Sequence, residues 1–177
     1  MSGTFELEQL RQLVDGRHVV RLERGELARY HGLPVALSDT LLMMHSLDEF
    51  FVDGRIVLRL EDITEVQHGD DETFVESVLA GEGLLENLPG DAVRLSSWAA
   101  ALEDIGARYG MAIVEAEHDD EFLIGTIVGV GESEAEMLQV SVDGLRDVEP
   151  SRIALDRITR VTFGDRYSTL YAKYARR

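Results

Sequence analysis

The chain of 177 residues carries 34 acidic and 17 basic residues, for a formal net charge of −17, and 45% of it is hydrophobic. Nucleic acids and anionic membranes are bound largely through Lys and Arg, so this acidity disfavours both as partners. The sequence has no cysteine, which excludes disulfides, thiolate metal sites and a cysteine nucleophile. No apolar run approaches the roughly 20 residues of a membrane span, and the first residues lack the pattern of a secretory signal. We therefore expect a soluble, cytoplasmic protein.

The first half of the chain predicts a helix, several short strands and a second helix. Apolar residues recur at helical spacing from Leu7 onward, with Thr4 as a candidate N-cap and Gly16 where the helix would end. Val-Asp-Gly at 52–54 predicts a turn that reverses the chain, and an amphipathic helix over 73–79 closes this half. The predicted strands are 19–22, 34–37, 41–44, 50–52, 56–60 and 63–66.

The second half predicts the same order of elements. A helix begins near Trp98, behind a candidate cap at Ser96, and a helix over 167–174 ends the half. Val-Asp-Gly returns at 142–144 as a predicted turn, and a longer spacing after it indicates a hairpin insertion that includes Pro150. The predicted strands are 112–116, 126–130, 137–142, 153–155 and 158–163.

One phrase is written twice in the chain. LEDITEVQHGD at 60–70 returns as LDRITRVTFGD at 155–165, and the match extends in both directions. We interpret this as an internal duplication, because a recurring phrase indicates a recurring structural unit. The predicted organisation is a first repeat at 1–80, a Gly- and Pro-containing linker at 81–94 and a second repeat at 95–177.

Each repeat resembles the Sm-like barrel, a small SH3-type β-barrel. The residues that carry the resemblance are 58–63 and 153–158, which correspond to the second motif of that family. The resemblance implies a mainly β fold with flanking helices, made of two tandem Sm-like five-stranded small barrels, each preceded and followed by a short helix. Another small all-β roll is the alternative.

The RNA-binding residues of the Sm-like family are missing here. Members usually form rings and bind single-stranded RNA through a loop that contains Arg-Gly and Asn, whereas this chain has Glu61-Asp62 and Asp156-Arg157 at the equivalent places. RNA binding is therefore not carried over, since a fold alone does not imply a function. A covalent tandem can pair barrel with barrel through its edge strands. We accordingly expect a monomer or a dimer rather than a ring.

Two short clusters combine histidine with carboxylates, a pairing that suits divalent metals. The candidate ligands are His68, Asp70, Asp71, His118, Asp119 and Asp120. Neighbouring residues on one turn rarely converge on one ion, and no helical metalloprotease motif or calcium loop is present. We interpret both clusters as solvated loops, with Asp70-Asp71 favourably placed at a helix start. The sequence thus predicts neither a metal site nor a cofactor.

Three further features have structural interpretations. Gly125–Gly131 lacks the residues of a dinucleotide or phosphate loop, so its glycines are assigned to a curved strand. Tyr167, Tyr171 and Tyr174 share a helix face that we expect to dock on its own barrel. Phe50-Phe51 would point to opposite faces of a strand, so one ring should be exposed or at an interface.

Absent catalytic motifs and strong acidity together predict a non-catalytic interaction module whose acidic surface binds a basic protein partner. The sequence does not locate the partner-binding residues. The first alternative is a small-ligand binder or an enzyme that uses carboxylates in the cleft between the barrels, helped by His68 or His118. An acidic mimic of nucleic acid is a further alternative, and RNA binding by family analogy ranks last.

Overall fold

The computed structural model describes residues 7–86, 88 and 92–176. The helices of this part are α1 Leu7–Gly16, α2 Asp70–Gly81, α3 Trp98–Arg108 and α4 Arg166–Tyr174. The strands are β1 Val20–Arg24, β2 Leu27–Leu37, β3 Leu41–Asp48, β4 Phe51–Arg59, β5 Glu65–Gln67, β6 Ala112–Ala116, β7 Glu121–Val130, β8 Glu134–Gln139, β9 Ser151–Ala154 and β10 Arg160–Phe163. None of the described helices is both long and apolar enough to cross a lipid bilayer.

The strands form one open antiparallel sheet in the order β5-β1-β2-β3-β4-β10-β6-β7-β8-β9. The predicted mainly β class with flanking helices is confirmed. Two separate small barrels are not confirmed, because the sheet is continuous and does not close. The two halves have the same strand order, and they join where β4 pairs with β10, with Val57 opposite Val161.

Hydrophobic clusters lie between the helices and the sheet. Helix α1 packs through Leu10 and Leu13 on strand residues of the first half, and α3 packs through Leu102 and Ile105. The α3 cluster crosses the junction, because β3 and β4 contribute residues such as Met43 to it. Burying a continuous apolar surface across the two halves stabilises their association.

The turn predicted at Val52–Gly54 is wrong. These residues lie inside β4, which also contains residues 51–52 and 56–59 of the two strands predicted on either side of the turn. The chain reverses earlier, after Asp48, where Glu49 adopts a left-handed φ of 54°. Gly54 has a φ of 71° and lies near a register shift between β3 and β4, so the glycine permits a bend rather than a reversal.

The helix starts differ slightly from the sequence predictions. Thr4 lies outside the described residues, and Ser97 rather than Ser96 caps α3, by accepting a hydrogen bond from Ala100 N at 3.1 Å. The first amides of a helix have no partner within it and need a side-chain acceptor. The serine whose hydroxyl reaches one of them therefore marks the start of the helix. The predicted linker 81–94 includes residues outside the described part. Pro150 lies in the long connection between β8 and β9.

The assignment of Gly125–Gly131 to a strand is confirmed for residues 125–130, which lie in β7. The docking face predicted for α4 is wrong for two of its three tyrosines. Tyr171 packs on the sheet together with Ala172 and Ala175, whereas Tyr167 and Tyr174 are 51% and 66% exposed. The small alanines let the helix approach the sheet closely, and the two outer rings are left at the rim of the contact.

Candidate functional site

Aromatic side chains are exposed where the β3–β4 turn meets helix α2. Phe51 and Phe74 are 70% and 60% exposed, and Phe50 and Leu84 are each 38% exposed. We call these four residues the aromatic patch. The rings of Phe50 and Phe74 meet edge to face with centroids 6.2 Å apart, which connects the turn to the helix. Both Phe50 and Phe51 are exposed because Phe50 belongs to the turn and not to the strand.

The aromatic patch borders a groove that is lined mainly by the first half of the chain. The groove has a volume of 440 Å³ and is lined by Phe51 and Leu84, by Arg55 of β4 and by Gly164 of the second half. An exposed apolar patch beside a groove is a common feature of protein interaction sites. The patch can therefore present three aromatic rings and a concave surface to one partner.

Exposed carboxylates flank residues of the aromatic patch in the chain. Asp48 and Glu49 immediately precede Phe50 in the turn, and Glu82 and Glu86 lie on either side of Leu84 in the chain. All four of these carboxylates belong to exposed residues. An apolar centre with an acidic rim complements a partner that is basic and partly apolar, because opposite charges steer association while apolar contacts hold the complex.

The second half exposes apolar residues at its own hairpin and helix. Val142 and Val148, in the connection after β8, are 93% and 95% exposed, and Leu170 and Tyr174 of α4 are 46% and 66% exposed. Val142, Leu170 and Tyr174 line a shallow hollow of 270 Å³. The exposed carboxylates beside it, Asp143, Asp147 and Glu149, are accompanied by the exposed cations Lys173 and Arg176. Its hollow is also smaller than the groove at the aromatic patch, so it is the weaker surface for a basic partner.

Buried charges join the two halves on the polar side of the junction. Arg24 of the first half is fully buried and contacts Glu117 of the second half at 2.7 Å and Asp62 at 3.6 Å. Arg160 pairs with Glu115. Arg24 and Arg160 both lie over the ring of Tyr30. We call Arg24, Asp62, Glu115, Glu117 and Arg160 the junction cluster.

Burial changes the acid–base properties of the junction cluster. Desolvation, together with the neighbouring Glu117 charge, raises the pKa of Glu115 to about 7. Burial and the nearby Arg24 lower the pKa of Arg160 to about 10. The pKa of Asp62 lies below its usual range. Burial acts to raise this pKa, but the hydrogen bonds from Arg59 and His118 outweigh that effect. These side chains are enclosed by one another, and the cavities described here are lined by other residues.

A second cavity lies between the halves. It has a volume of 540 Å³ and is lined by the carboxylates Asp39, Glu61 and Asp156, with Arg59 and Trp98 on its walls. This cleft corresponds to the one in which the alternative function, binding of a small ligand by carboxylates, was predicted. Neither histidine proposed as a helper lines it, so its chemistry is that of carboxylates, one guanidinium and one indole.

The structure does not gather either of the two histidine–carboxylate clusters around one point. Asp70 and Asp71 are exposed at the start of α2, and His68 turns away from them toward His18 and Glu76. In the second cluster, His118 Nε2 contacts Asp62 Oδ1 at 3.0 Å, Asp119 accepts a hydrogen bond from Arg157 at 2.8 Å, and Asp120 adopts a left-handed φ of 54°. Neither set of adjacent residues converges on a point.

Sequence reasoning missed the grouping of His18, His68 and Glu76. Within the described ranges, it is the one group of three or more histidine and acidic residues whose candidate ligand atoms all lie within 4.8 Å of one another. The first histidine precedes β1, the second follows β5 and the glutamate lies on α2. No local spacing encodes this grouping, because the three residues belong to separate parts of the chain.

Comparison of the chain with models of protein families, with curated proteins and with solved structures finds no match.

Proposed function

We propose that this chain is a non-catalytic interaction module, built from two Sm-like halves, that binds a basic protein partner at the aromatic patch. The observation that carries the proposal is the exposure of Phe50, Phe51 and Phe74 beside a groove and within an acidic rim. Aromatic residues are enriched at the energetic centres of protein interfaces, and charge depletion at such a centre with charge at its rim is the usual arrangement.

The Sm-like part of the proposal rests on the repeated strand order. Across the sheet, the order is β5-β1-β2-β3-β4 in the first half and β10-β6-β7-β8-β9 in the second, so the last strand of each half lies beside its first strand. Each half also has a helix in front of its first strand. The pairing of β4 with β10 uses one edge of each half within a single chain. This leaves β5 and β9 as the outer strands of the described sheet.

The charge of the chain supports a basic partner over other classes. A net charge of −17 repels phosphates and favours the approach of a positively charged surface. The acids of the rim act at long range and in a salt-dependent way, whereas the aromatic rings act only after contact. The two contributions can therefore be separated by experiment.

The test compares three forms of the protein as bait in a native extract treated with nuclease: the wild type, Phe51→Ser/Phe74→Ser and the control Phe122→Ser. Phe122 is 50% exposed on β7 of the second half, away from the aromatic patch. We expect the wild type and the control to capture the same basic protein, with less recovered as salt rises. The double variant should bind the purified partner at least about 10-fold more weakly.

Two outcomes would contradict this proposal. The first is that the wild type captures no basic protein under any salt condition. The second is equal capture by the wild type and the double variant, which would remove the aromatic patch from the interface. Circular dichroism of each bait ensures that a loss of capture is not a loss of folding, since surface substitutions of this kind usually change stability by less than about 0.5 kcal/mol.

The cleft lined by Asp39, Glu61, Asp156 and Trp98 supports small-ligand binding as a second candidate function. Its volume of 540 Å³ falls in the range of ligand sites, and an indole beside three carboxylates suits a cationic ligand. A metabolite that raises the melting temperature of the wild type and not of Trp98→Ala would favour this function over the interaction module.

A further inference from the structure

Three side chains from separate elements meet beside helix α2. His18 Nδ1 lies 3.3 Å from Glu76 Oε1, and His68 Nδ1 lies 3.8 Å from the same oxygen. The two imidazole rings have centroids 4.6 Å apart. Two imidazoles and one carboxylate from three elements form a donor set that a divalent transition metal accepts.

The backbone of Val19 holds two of these side chains in place. Val19 N donates a hydrogen bond to Glu76 Oε1 at 2.6 Å, and His68 Nδ1 donates one to the Val19 carbonyl oxygen at 2.9 Å. A carbonyl can only accept, so the His68 proton resides on Nδ1 and Nε2 carries the lone pair. Metal-binding histidines commonly have this second hydrogen bond to a carbonyl, which fixes the tautomer and the ring orientation.

One separation in the group equals that of two ligands on a tetrahedral zinc ion. Zinc-to-nitrogen and zinc-to-oxygen bonds of about 2.0–2.1 Å at a tetrahedral angle separate two ligand atoms by about 3.3 Å. His18 Nδ1 and Glu76 Oε1 already have this separation. The candidate atoms of all three residues lie within 4.8 Å of one another, so the three side chains must draw closer together to bind one ion.

The group is also accessible. The side chains of His18, His68 and Glu76 are 43%, 23% and 22% exposed, which leaves room for a metal ion to enter and for water to occupy a fourth position. We propose that His18, His68 and Glu76 bind one Zn²⁺ per chain, with water as the fourth ligand. This site is separate from the aromatic patch, and its existence does not depend on the proposed function.

A zinc ion at this place would link α2 to the sheet. His18 lies just before β1 and Glu76 in the middle of α2, 58 residues further along the chain. An ion that binds only the folded form stabilises the protein. The gain in the free energy of unfolding increases with the logarithm of the ratio of the ion concentration to its dissociation constant. Zinc should therefore raise the melting temperature, and α2 should gain protection from hydrogen exchange.

The experiment is a calorimetric titration of tag-free protein with ZnCl₂, for the wild type, His18→Gln/His68→Gln, Glu76→Gln and His118→Gln. His118 is the matched control, since it lies on the other side of the junction against Asp62. Glutamine at position 76 retains a side-chain oxygen that can accept the hydrogen bond from the Val19 amide. We expect one Zn²⁺ per wild-type chain, unchanged affinity for the control, a loss of about 100-fold or more for the double variant and a weaker site for Glu76→Gln.

Two readouts separate metal binding from folding. Circular dichroism without metal should be the same for all four proteins, and Co²⁺ bound to the wild type should give the intense visible bands of a tetrahedral ion that are absent from the double variant. If the double variant binds Zn²⁺ as tightly as the wild type, or if the wild type binds less than one ion per chain at saturation, the proposed site is wrong.

Discussion

Glu115 is the residue whose environment has the clearest consequence for stability. Its pKa in the folded protein is about 7, against 4.5 for the free side chain, because burial and the Glu117 charge disfavour its ionised form. Between these two values the folded protein binds more protons than the unfolded chain. The contribution of this group to the free energy of unfolding is therefore fully present below pH 4.5 and is lost as the pH rises through about 7.

Replacing Glu115 with glutamine should remove this pH dependence. From about pH 5 to about pH 8, the stability of Glu115→Gln should improve relative to the wild type by about 1–2 kcal/mol. The full shift is not expected, since Arg160 pairs with the carboxylate and solvent screens part of its charge. Urea unfolding across this pH range measures the difference. Glu103→Gln, which alters a surface pair with Arg94, should run parallel to the wild type, and a parallel curve for Glu115→Gln would contradict the prediction.

The neighbours of His68 in the sequence are not its partners in the structure. Its neighbours Asp70 and Asp71 suggested one cluster, but the helix that begins at Asp70 carries those carboxylates into solvent. The partners of His68 are instead His18 and Glu76. Only the packing of α2 against the start of β1 brings them together, and no local spacing encodes that contact.

Two glycines at corresponding positions of the halves decide how closely adjacent strands can approach. A Cβ atom at Gly32 of β2 would overlap with the carbonyl oxygen of His45, and one at Gly125 of β7 would overlap with the carbonyl oxygen of Leu138. In both cases the obstacle is backbone of the paired strand, which has little freedom to move. Strand glycines of this kind mark sites of close backbone approach.

Gly125→Ala should destabilise the protein by about 2–4 kcal/mol, because the paired strand β8 must shift to admit a methyl group. Gly129→Ala, in the same strand, is the control. Its added Cβ would come no closer than 3.2 Å, to the end of the flexible Glu136 side chain, so a cost of less than about 1 kcal/mol is expected. Thermal or urea unfolding compares the two variants, and equal costs would show that close approach does not explain the glycine.

Element types were more predictable than their connections. Helices α1 to α4 and the strands of the second half follow from local periodicity, since alternation and helical spacing reflect which side of an element is buried. The prediction of a chain reversal at Val52–Gly54 was wrong because an Asp-Gly pair occurs both in turns and at bends within strands. Which of the two forms depends on whether the neighbouring strand continues past it, and β3 does so here.

At the scale of the molecule, the junction cluster determines how strongly the halves depend on each other. Arg24 and Glu117 belong to different halves, are 93 residues apart and form a charged contact at 2.7 Å. A buried ion pair adds little net stability by itself, but removal of one partner leaves an uncompensated buried charge. The junction is therefore sensitive to single substitutions and tolerant of paired ones.

Arg24→Met should destabilise the protein by about 3–5 kcal/mol, because Glu117 and Asp62 are left facing each other without the guanidinium. Arg24→Met/Glu117→Gln should lose less than the sum of the two single changes. Arg152→Met, on an arginine whose side chain is 64% exposed, should cost less than about 1 kcal/mol. A double-mutant cycle by urea unfolding measures the coupling, and strict additivity would refute it.

The sequence by itself determined the mainly β class, most of the helices and strands, the acidity and the absence of catalytic motifs, all of which depend on composition or on residues close in the chain. Only the tertiary structure decided that the strands form one open sheet joined at β4 and β10, that Arg24 and Glu117 share a buried contact, and that His18, His68 and Glu76 meet. These features depend on strand order and on helix docking. Many pairings of the same strands bury the same apolar faces, so the local pattern leaves the choice among them to the packing of the whole chain.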